Sequence, residues 1–330
     1  MLWSAAARIV GAIVLVEREE NEENKMFRRV EIVEVGPRDG LQSEPGVLPT
    51  PAKIELIERL IDTGLRRVEV TSFVNPKKVP QMADAELVLA GLRKRDDVCY
   101  VGLVLNKKGF ERAVTAGCDE VGMAVVASDT FNKRNQGVGT DESIAAWLAI
   151  AREAKVVGIR AQVTVSAAFG CPFEGEISVA RVIEVAKRVA EAEPFEISFA
   201  DTVGVGVPSQ VTEIIGRARS VLPDSIRLRA HFHNTRNTGL ANAYAAIEAG
   251  VSALDSSVGG IGGCPFAPAA TGNIPTEDLI YMLERSGVST GVNLAKLVST
   301  TEWLQKTLGR NVPGMLVKAG MFPKTAAEAA

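Results

Sequence analysis

The chain has 330 residues, 46% of them hydrophobic and 23% charged, a balance that forms a large apolar core without disulfide or metal support and excludes disorder for most of the sequence. A formal net charge of −3 indicates no basic surface for binding nucleic acid, and an aromatic content of 5% leaves few side chains on which bases stack. The four cysteines are scattered through a chain that is long enough to fold without disulfide bonds, which favours reduced thiols in the cytoplasm over a disulfide framework.

Residues 1–27 are predicted to be a disordered extension that precedes the folded domain. An apolar run at residues 9–16 is followed by an acidic, polar stretch at residues 17–25. The run is shorter than the roughly 20 apolar residues that cross a bilayer, and it lacks a clear small-residue cleavage site. We interpret the segment as a dispensable extension, with a weak export signal or organelle presequence as the alternative.

From Arg28 onward, short Val- and Ile-rich runs alternate with longer amphipathic stretches, which is the pattern of βα units. Eight strands are predicted, at residues 30–35, 67–71, 99–105, 120–126, 161–167, 195–200, 227–233 and 253–258. Predicted helices between them include residues 51–63, 141–157, 178–192 and 238–249, and glycines suited to helix C-caps follow at Gly64, Gly117, Gly158 and Gly250.

Eight such units over about 280 residues predict an α/β fold of the (β/α)8 TIM-barrel type, whereas an open doubly wound sheet usually has fewer units. The barrel domain is assigned to residues 28–312, with an additional helical segment at residues 292–308 and a C-terminal tail at residues 313–330. Chemistry in such a barrel belongs at the carboxyl ends of the strands.

His231 and His233 are the only histidines of the chain and lie at the end of the predicted seventh strand. The two-residue period of a strand turns both imidazoles toward the same face. This favours a metal site over a hydrogen-bonded pair that merely closes the strand. Because two histidines are too few for a multi-histidine zinc site, the other ligands must be oxygen donors, which indicates Mg²⁺ or Mn²⁺.

Polar residues also follow other predicted strands. Arg38 and Asp39 come after the first strand and are expected to face the mouth, although an Asp before Gly is most often a turn former. Glu69 is costly to bury in an apolar strand unless it is paired, and Arg38 is its expected partner. The remaining polar strand ends are Thr71 and Ser72 after the second strand, Asn106 after the third, and Asp201 and Thr202 after the sixth.

A glycine-rich segment at residues 258–266 contains four glycines within five residues and predicts a mobile loop. It lacks the Lys-Ser/Thr pair of a nucleotide-binding P-loop. The segment is either a lid that delivers Cys264 to a site or a flexible connector. Since a second Gly-Cys-Pro-Phe occurs at residues 170–173, the pattern alone leaves open whether Cys171 or Cys264 is a catalytic thiol.

Taken together, five motifs resemble the 3-hydroxy-3-methylglutaryl-CoA (HMG-CoA) lyase family of metal-dependent TIM-barrel enzymes, over residues 28–308. They are VEVGPRDGLQ at residues 33–42, TSFV through VPQM at residues 71–82, DTVGVG at residues 201–206, HFH at residues 231–233, and SSV through GCPF to GN at residues 256–273.

The resemblance implies a role for each matching residue. The implied ligands of the divalent cation, Mg²⁺ or Mn²⁺, are Asp39, His231, His233 and Asn273. Arg38 would stabilise the developing enolate, Glu69 and Asp201 would organise the site, and Cys264 rather than Cys171 would be the catalytic thiol. The expected substrate-binding residues are Gln42, Ser72, Asn106, Gln162, Thr202 and Arg236.

The implied reaction is a retro-Claisen cleavage of an acyl-CoA, in which HMG-CoA yields acetyl-CoA and acetoacetate. The resemblance also implies a homo-oligomer, a dimer or larger, and neither nucleic acid nor membrane is expected as a partner. A Claisen-condensing synthase of the isopropylmalate type is the alternative enzyme class, although the chain leaves no room for the appended domains such synthases usually carry. A non-catalytic binding barrel is a third class.

Two departures from the family pattern concern the substrate. Gln162 stands where the family typically has Arg, and residues 234–237 read Asn-Thr-Arg-Asn in place of the usual Asp-Thr-Tyr-Gly. Neither departure removes an implied metal ligand or Arg38, so the reaction class is expected to survive. Recognition of the acyl carboxylate is expected to be rearranged, which makes citramalyl-CoA an alternative substrate.

Overall fold

The computed structural model describes residues 28–263 and 272–323, and within these ranges eight parallel strands close into a barrel. A two-stranded ladder beside the barrel pairs β1 (Arg28–Arg29) with β10 (Val288–Ser289). The barrel strands, in the order in which they pair, are β2 (Glu31–Glu34), β3 (Arg67–Ser72), β4 (Cys99–Leu103), β5 (Glu120–Val126), β6 (Arg160–Ser166), β7 (Glu196–Asp201), β8 (Arg227–Phe232) and β9 (Ala253–Ser256). The predicted TIM barrel is confirmed.

Helices follow the strands and flank the barrel. They are α1 (Thr50–Asp62), α2 (Ala85–Gly91), α3 (Lys107–Ala116), α4 (Asp129–Gln136), α5 (Thr140–Val157), α6 (Val179–Ala190), α7 (Pro208–Val221), α8 (Gly239–Glu248), α9 (Thr276–Arg285), α10 (Leu294–Leu308) and α11 (Leu316–Ala319). The predicted additional helical segment is α10. Among the described residues, every helix falls short of the length and apolar character that a bilayer span demands.

The helices pack through one apolar stripe, as α6 illustrates. Its buried residues include Val182, Val185, Ala186 and Val189, which recur at the three- and four-residue spacing of one helical face. The glycine after a helix often adopts a left-handed conformation, and Gly117 and Gly158 do so with φ of 82° and 74°. These two glycines end α3 and α5, and the chain then turns toward the next strand.

The proposed boundary between the barrel domain and the C-terminal tail stays a prediction. Within the predicted tail, α11 is held by the Asp278 carboxylate, which accepts hydrogen bonds from the backbone amides of Met315 and Leu316. Residues 1–27, the predicted extension, lie outside the described residues.

Ionic side chains fill the amino-terminal end of the barrel interior, where bulky aliphatic residues are common in this fold. The Arg67 guanidinium contacts Glu120, and its Nη2 lies 2.8 Å from Glu196 Oε1. Side-chain exposure is 1% for Arg67 and 0% for both glutamates. Charged side chains are tolerated away from water only when they are paired and hydrogen-bonded. These three side chains pair with one another and form the floor of the barrel, at its amino-terminal end.

Candidate active site

A cavity of about 730 Å³ opens at the carboxyl ends of the strands. Most residues predicted from the sequence to form a site line this cavity: Arg38, Asp39, Gln42, Glu69, Asn106, Gln162, Thr202, His231 and His233. The barrel therefore brings together side chains that are up to 195 positions apart in the sequence, as the separation of Arg38 from His233 shows. A cavity at this face is where the chemistry of a TIM barrel is located.

A tight turn after β2 projects Arg38 and Asp39 into the cavity. Residues Gly36–Gly40 form one π-helical turn, in which the Val35 carbonyl accepts from the amides of Arg38 and Asp39. A Cβ at Gly36 would lie 2.6 Å from Glu34 Oε1 and 2.9 Å from Val258 Cγ1, so a larger residue would displace these buried side chains. The same Glu34 oxygen accepts from the Gly36 amide at 2.7 Å and fixes the start of the turn.

Arg38 is held between two carboxylates. Its Nε donates to Glu69 Oε2 at 2.8 Å, and its Nη1 donates to Asp39 Oδ1 at 2.6 Å. The expected pairing of Arg38 with Glu69 is confirmed. Burial raises the pKa of Glu69, and the attraction of Arg38 offsets only part of that shift. The guanidinium is thus a fixed positive charge on the cavity wall.

Asp39, His231 and His233 form a cluster suited to a metal ion. One ligand atom from each residue lies within 4.8 Å of the others, and the imidazole centroids are 5.2 Å apart. Asn273 joins them because its Nδ2 donates to Asp39 Oδ2 at 2.8 Å. In the described part of the chain, the buried Asn273 Oδ1 and His233 Nδ1 have no hydrogen-bond partner. Buried polar atoms without partners are costly, so the Asn273 oxygen is available to a ligand, whereas His233 faces Asp39 with its other ring nitrogen, Nε2, at 4.0 Å.

The charge states of Asp39 and His233 also suit a divalent cation. Burial lowers the pKa of His231, but the hydrogen bond and charge of Asp255 outweigh it and raise that pKa. Burial would raise the pKa of Asp39, but Arg38 and the two imidazoles outweigh it and lower that pKa to about 2. Burial and the neighbouring His231 lower the pKa of His233 to about 4. An ionised carboxylate and a neutral imidazole are the forms that bind metals. With the amide oxygen of Asn273, the donor set fits Mg²⁺ or Mn²⁺.

Asp255 is a site residue that the sequence analysis missed. Its Oδ2 lies 3.1 Å from His231 Nδ1, and its Oδ1 accepts from Arg229 Nη1 at 2.9 Å. The available signal was an acidic residue inside an apolar strand, the same signal that singled out Glu69. Arg229 also donates to Gln162 Oε1 at 2.6 Å, so a guanidinium from β8 stands beside the position where the family pattern has Arg.

Asp201, Arg236 and Ser72, like Asn273, are not among the described residues that line the cavity. The Asp201 carboxylate accepts from the amides of Val205 and Gly206 at 3.0 and 2.9 Å, which fixes the turn after β7. Arg236 donates to the Gly204 carbonyl at 2.8 Å in the same turn. Ser72 is buried and donates to Gln42 Oε1 at 3.4 Å. Their contacts organise neighbouring segments.

Two predicted substrate-binding residues line the cavity and also accept hydrogen bonds from backbone amides. Asn106 is the N-cap of α3, and its Oδ1 accepts from the Gly109 amide at 2.9 Å. Thr202 Oγ1 accepts from the Ala167 amide at 2.9 Å. Both side chains are therefore fixed before any ligand arrives.

The structure gives Cys171 a local role in its loop. Its thiol donates to Ser128 Oγ at 3.0 Å, and its sulfur accepts from the amides of Phe173 and Glu174 at 3.4 Å. The residue is buried, and it does not belong to the described residues that line the cavity. Cys264 lies outside the described residues.

The start of the glycine-rich segment differs from the predicted mobile loop. Val258–Gly260 is a buried 3₁₀ turn, and the Gly259 amide donates to Glu277 Oε2 at 2.9 Å. Gly259 has φ of 69° and carries a close approach to Val312, which explains glycine at that position. For these three residues the structure shows a buried, hydrogen-bonded turn in place of the predicted mobile loop.

Comparison with known proteins gives consistent results. The HMGL-like family matches residues 29–304. The mitochondrial hydroxymethylglutaryl-CoA lyase of Rattus norvegicus is 43% identical over 94% of this chain and 96% of its own length. The (R)-citramalyl-CoA lyase of Chloroflexus aurantiacus is 42% identical over 89% and 96%.

Solved structures show the same relationship. An HMG-CoA lyase from Acinetobacter baumannii, in complex with coenzyme A and 3-methylmalate, superposes with a TM-score of 0.86 at 40% identity and covers 90% of this chain and 97% of that one. The Bacillus subtilis HMG-CoA lyase also gives a TM-score of 0.86, at 37% identity, over 89% and 98% of the two chains.

Proposed function

The chain belongs to the HMGL-like family, and from that membership we propose that it is a divalent-metal-dependent lyase that cleaves HMG-CoA to acetyl-CoA and acetoacetate. The observation that carries the proposal is the cluster of Asp39, His231 and His233 beside the fixed charge of Arg38. Oxygen and imidazole donors next to a guanidinium suit a reaction that develops negative charge on oxygen.

We assign the metal ligands to Asp39, His231, His233 and Asn273. Support comes from the low pKa of Asp39, the neutral His233 and the unpartnered oxygen of Asn273. When bound there, a divalent cation supplies Lewis acidity to the hydroxyl and carboxylate oxygens of the substrate.

Arg38 is assigned to the enolate. In a retro-Claisen cleavage a base takes the proton of the 3-hydroxyl and the C2–C3 bond breaks, which releases a ketone and leaves a thioester enolate that an acid then protonates. The negative charge on the enolate oxygen exists only from the transition state onward, so a fixed cation stabilises that state more than the substrate. Glu69 keeps Arg38 in place through the 2.8 Å contact with its Nε.

Proton transfer to the enolate is assigned to Cys264, from its place in the sequence motif. Glu69 or Asp201 acting through a water is the competing assignment, and of these two only Glu69 lines the cavity in the described part of the chain. Replacement Cys264→Ser is expected to lower kcat by about 10²- to 10⁴-fold, the range for a lost general acid, with metal affinity unchanged. The equivalent Cys171→Ser change is the matched control and is expected to retain activity, because Cys171 serves its own loop.

Citramalyl-CoA is the second candidate substrate. It is favoured by the 42% identity to an (R)-citramalyl-CoA lyase and by Gln162, which lines the cavity and pairs with Arg229. Citramalyl-CoA is one methylene shorter than HMG-CoA, so its carboxylate lies closer to the reacting hydroxyl. The arrangement of cationic side chains beside this cavity differs from the family pattern, and that arrangement determines which carboxylate position is recognised.

Specificity constants for the two thioesters test the proposal. Purified protein is incubated with HMG-CoA or citramalyl-CoA, with Mg²⁺ or Mn²⁺ and with a chelator control. Metal-dependent formation of acetyl-CoA and acetoacetate, at a higher kcat/KM than for citramalyl-CoA, is expected. Equal or better cleavage of citramalyl-CoA to acetyl-CoA and pyruvate reassigns the substrate. Condensation of acetyl-CoA with an oxo acid, without cleavage, favours the synthase class.

The assembly and the location of the protein stay predictions. The family resemblance implies a homo-oligomer, which sedimentation velocity measures directly. The scattered cysteines favour the cytoplasm, which cell fractionation tests.

A further inference from the structure

Strand β8 carries a buried arginine two positions before the first histidine of the metal cluster. The Arg229 side chain is 4% exposed, and the two-residue period of the strand turns it to the same face as His231. Its Nη1 donates to Asp255 Oδ1 at 2.9 Å, and its Nε lies 3.0 Å from Glu196 Oε1. A second buried arginine, Arg67, contacts Glu196 from the floor of the barrel. The Arg229 guanidinium is therefore fixed on more than one side.

Asp255 joins this guanidinium to the imidazole of His231. One carboxylate oxygen accepts from Arg229, and the other lies 3.1 Å from His231 Nδ1. The 2.9 Å ion pair between Arg229 Nη1 and Asp255 Oδ1, in a site where both side chains are buried, favours the ionised carboxylate. An ionised carboxylate only accepts hydrogen bonds, so Nδ1 of His231 must carry the proton and Nε2 keeps its lone pair.

We propose that Arg229 and Asp255 are positioning residues, in which Arg229 orients the Asp255 carboxylate and Asp255 holds His231 in the tautomer that presents Nε2 to the metal ion. The inference rests on the proposed metal site. A carboxylate behind a ligating imidazole fixes the ring and its tautomer in many metal sites. His233 provides an internal contrast, because its Nδ1 has no partner among the described residues.

The first test needs no substitution. The chain has two histidines, so ¹⁵N labelling of histidine in the metal-free protein gives two imidazole patterns, and a His233→Gln variant identifies them. At alkaline pH, where both rings are neutral, we expect the His231 proton on Nδ1. A His231 proton on Nε2 in the wild-type protein would overturn the proposal.

The second test is Mn²⁺ affinity measured by calorimetry. Asp255→Asn keeps the shape of the side chain, but with its oxygen held by Arg229 the carboxamide turns an N–H toward His231 and favours the wrong tautomer. We expect an affinity loss of about 10- to 100-fold, the usual effect of removing such a partner. Arg229→Met is expected to weaken binding as well, and Arg229→Lys, which retains the charge, to recover part of it.

Arg188→Met is the matched control, because Arg188 forms a partly exposed ion pair with Asp141 outside the site. It is expected to bind Mn²⁺ like the wild-type protein. Wild-type affinity in folded Asp255→Asn and Arg229→Met proteins would contradict the proposal. If Arg229→Met fails to fold, the wild-type tautomer and the Asp255→Asn affinity decide. No substrate is used, so these outcomes are independent of whether the protein cleaves HMG-CoA.

Discussion

Buried charges occupy both ends of the barrel interior, but their surroundings differ. At the amino-terminal end, Arg67 contacts Glu120 and Glu196, and each of these side chains is at most 1% exposed. At the carboxyl end, Asp39 and His233 face a cavity of about 730 Å³. Among the described residues, the floor carboxylates have hydrogen-bond partners, whereas Asn273 Oδ1, on a side chain that contacts Asp39, is buried without one.

This difference separates scaffold from site. A buried ion pair whose members are fully paired has a structural role, and removing one member lowers the free energy of unfolding. A buried polar group without a hydrogen-bond partner costs free energy that a bound ligand recovers. We therefore expect substitutions at the carboxyl end to change metal binding and turnover, and substitutions at the floor to change the free energy of unfolding.

The largest effect is expected for His233→Ala. Loss of this imidazole removes an assigned metal ligand, and Lewis-acid stabilisation amounts to several kcal/mol, so kcat/KM for HMG-CoA should fall by about 10³-fold or more. Calorimetry should show weakened Mn²⁺ binding in a protein with an unchanged circular dichroism spectrum. Wild-type turnover in this variant would remove His233 from the metal site.

Arg38→Met is expected to lower kcat by about 10²- to 10³-fold, the range for losing one donor to a developing oxyanion. The effect should appear mainly in kcat, because the enolate charge is absent from the bound substrate. Arg38→Lys is the matched comparison: it keeps a positive charge but cannot reach Glu69 and Asp39 through separate nitrogens of a planar fork, so we expect partial activity. A change in KM alone would assign Arg38 to substrate binding.

Glu120→Gln tests the floor of the barrel. It leaves Arg67 with less negative charge in a buried site, and we expect the free energy of unfolding to fall by about 3–5 kcal/mol. Denaturant unfolding measures this loss, and kcat should stay at the wild-type value. The control is Glu153→Gln, which breaks an exposed pair with Lys107 and should cost less than about 1 kcal/mol. Equal losses in the two variants would contradict the scaffold role.

Glu277 gives the smallest expected effect, on the pH dependence of stability. Burial raises the pKa of Glu277 from 4.5 to about 8, although the Gly259 amide hydrogen bond opposes the shift. The folded protein thus binds a proton that the unfolded chain releases, so this contribution is present below pH 4.5 and is lost as the pH rises through about 8.

The neutral Glu277→Gln variant should therefore lose less Tm between pH 5 and pH 8.5 than the wild-type protein does. Glu302→Gln, at an exposed position of α10, is the control and should follow the wild-type slope. Identical slopes in all three proteins would show that Glu277 titrates normally in the fold.

Much of the fold follows from local sequence. All eight barrel strands lie where Val- and Ile-rich runs predict them, because strand and helix periods are properties of short segments. The carboxyl-end rule then places Arg38, Asp39 and His231 at one mouth. The contact of Asp255 with His231 and the Arg67 floor cluster were not predictable in the same way. They depend on which strands are neighbours and on their register, which no short segment contains.

The metal requirement of cleavage tests the central claim most directly. Chelator-treated protein is titrated with Mn²⁺, and bound metal and HMG-CoA cleavage are followed in the same samples. The account predicts no acetoacetate without metal, activity that rises in proportion to bound Mn²⁺, and weakened metal binding with little activity for His233→Ala. Full release of acetoacetate and acetyl-CoA from metal-free protein would contradict it.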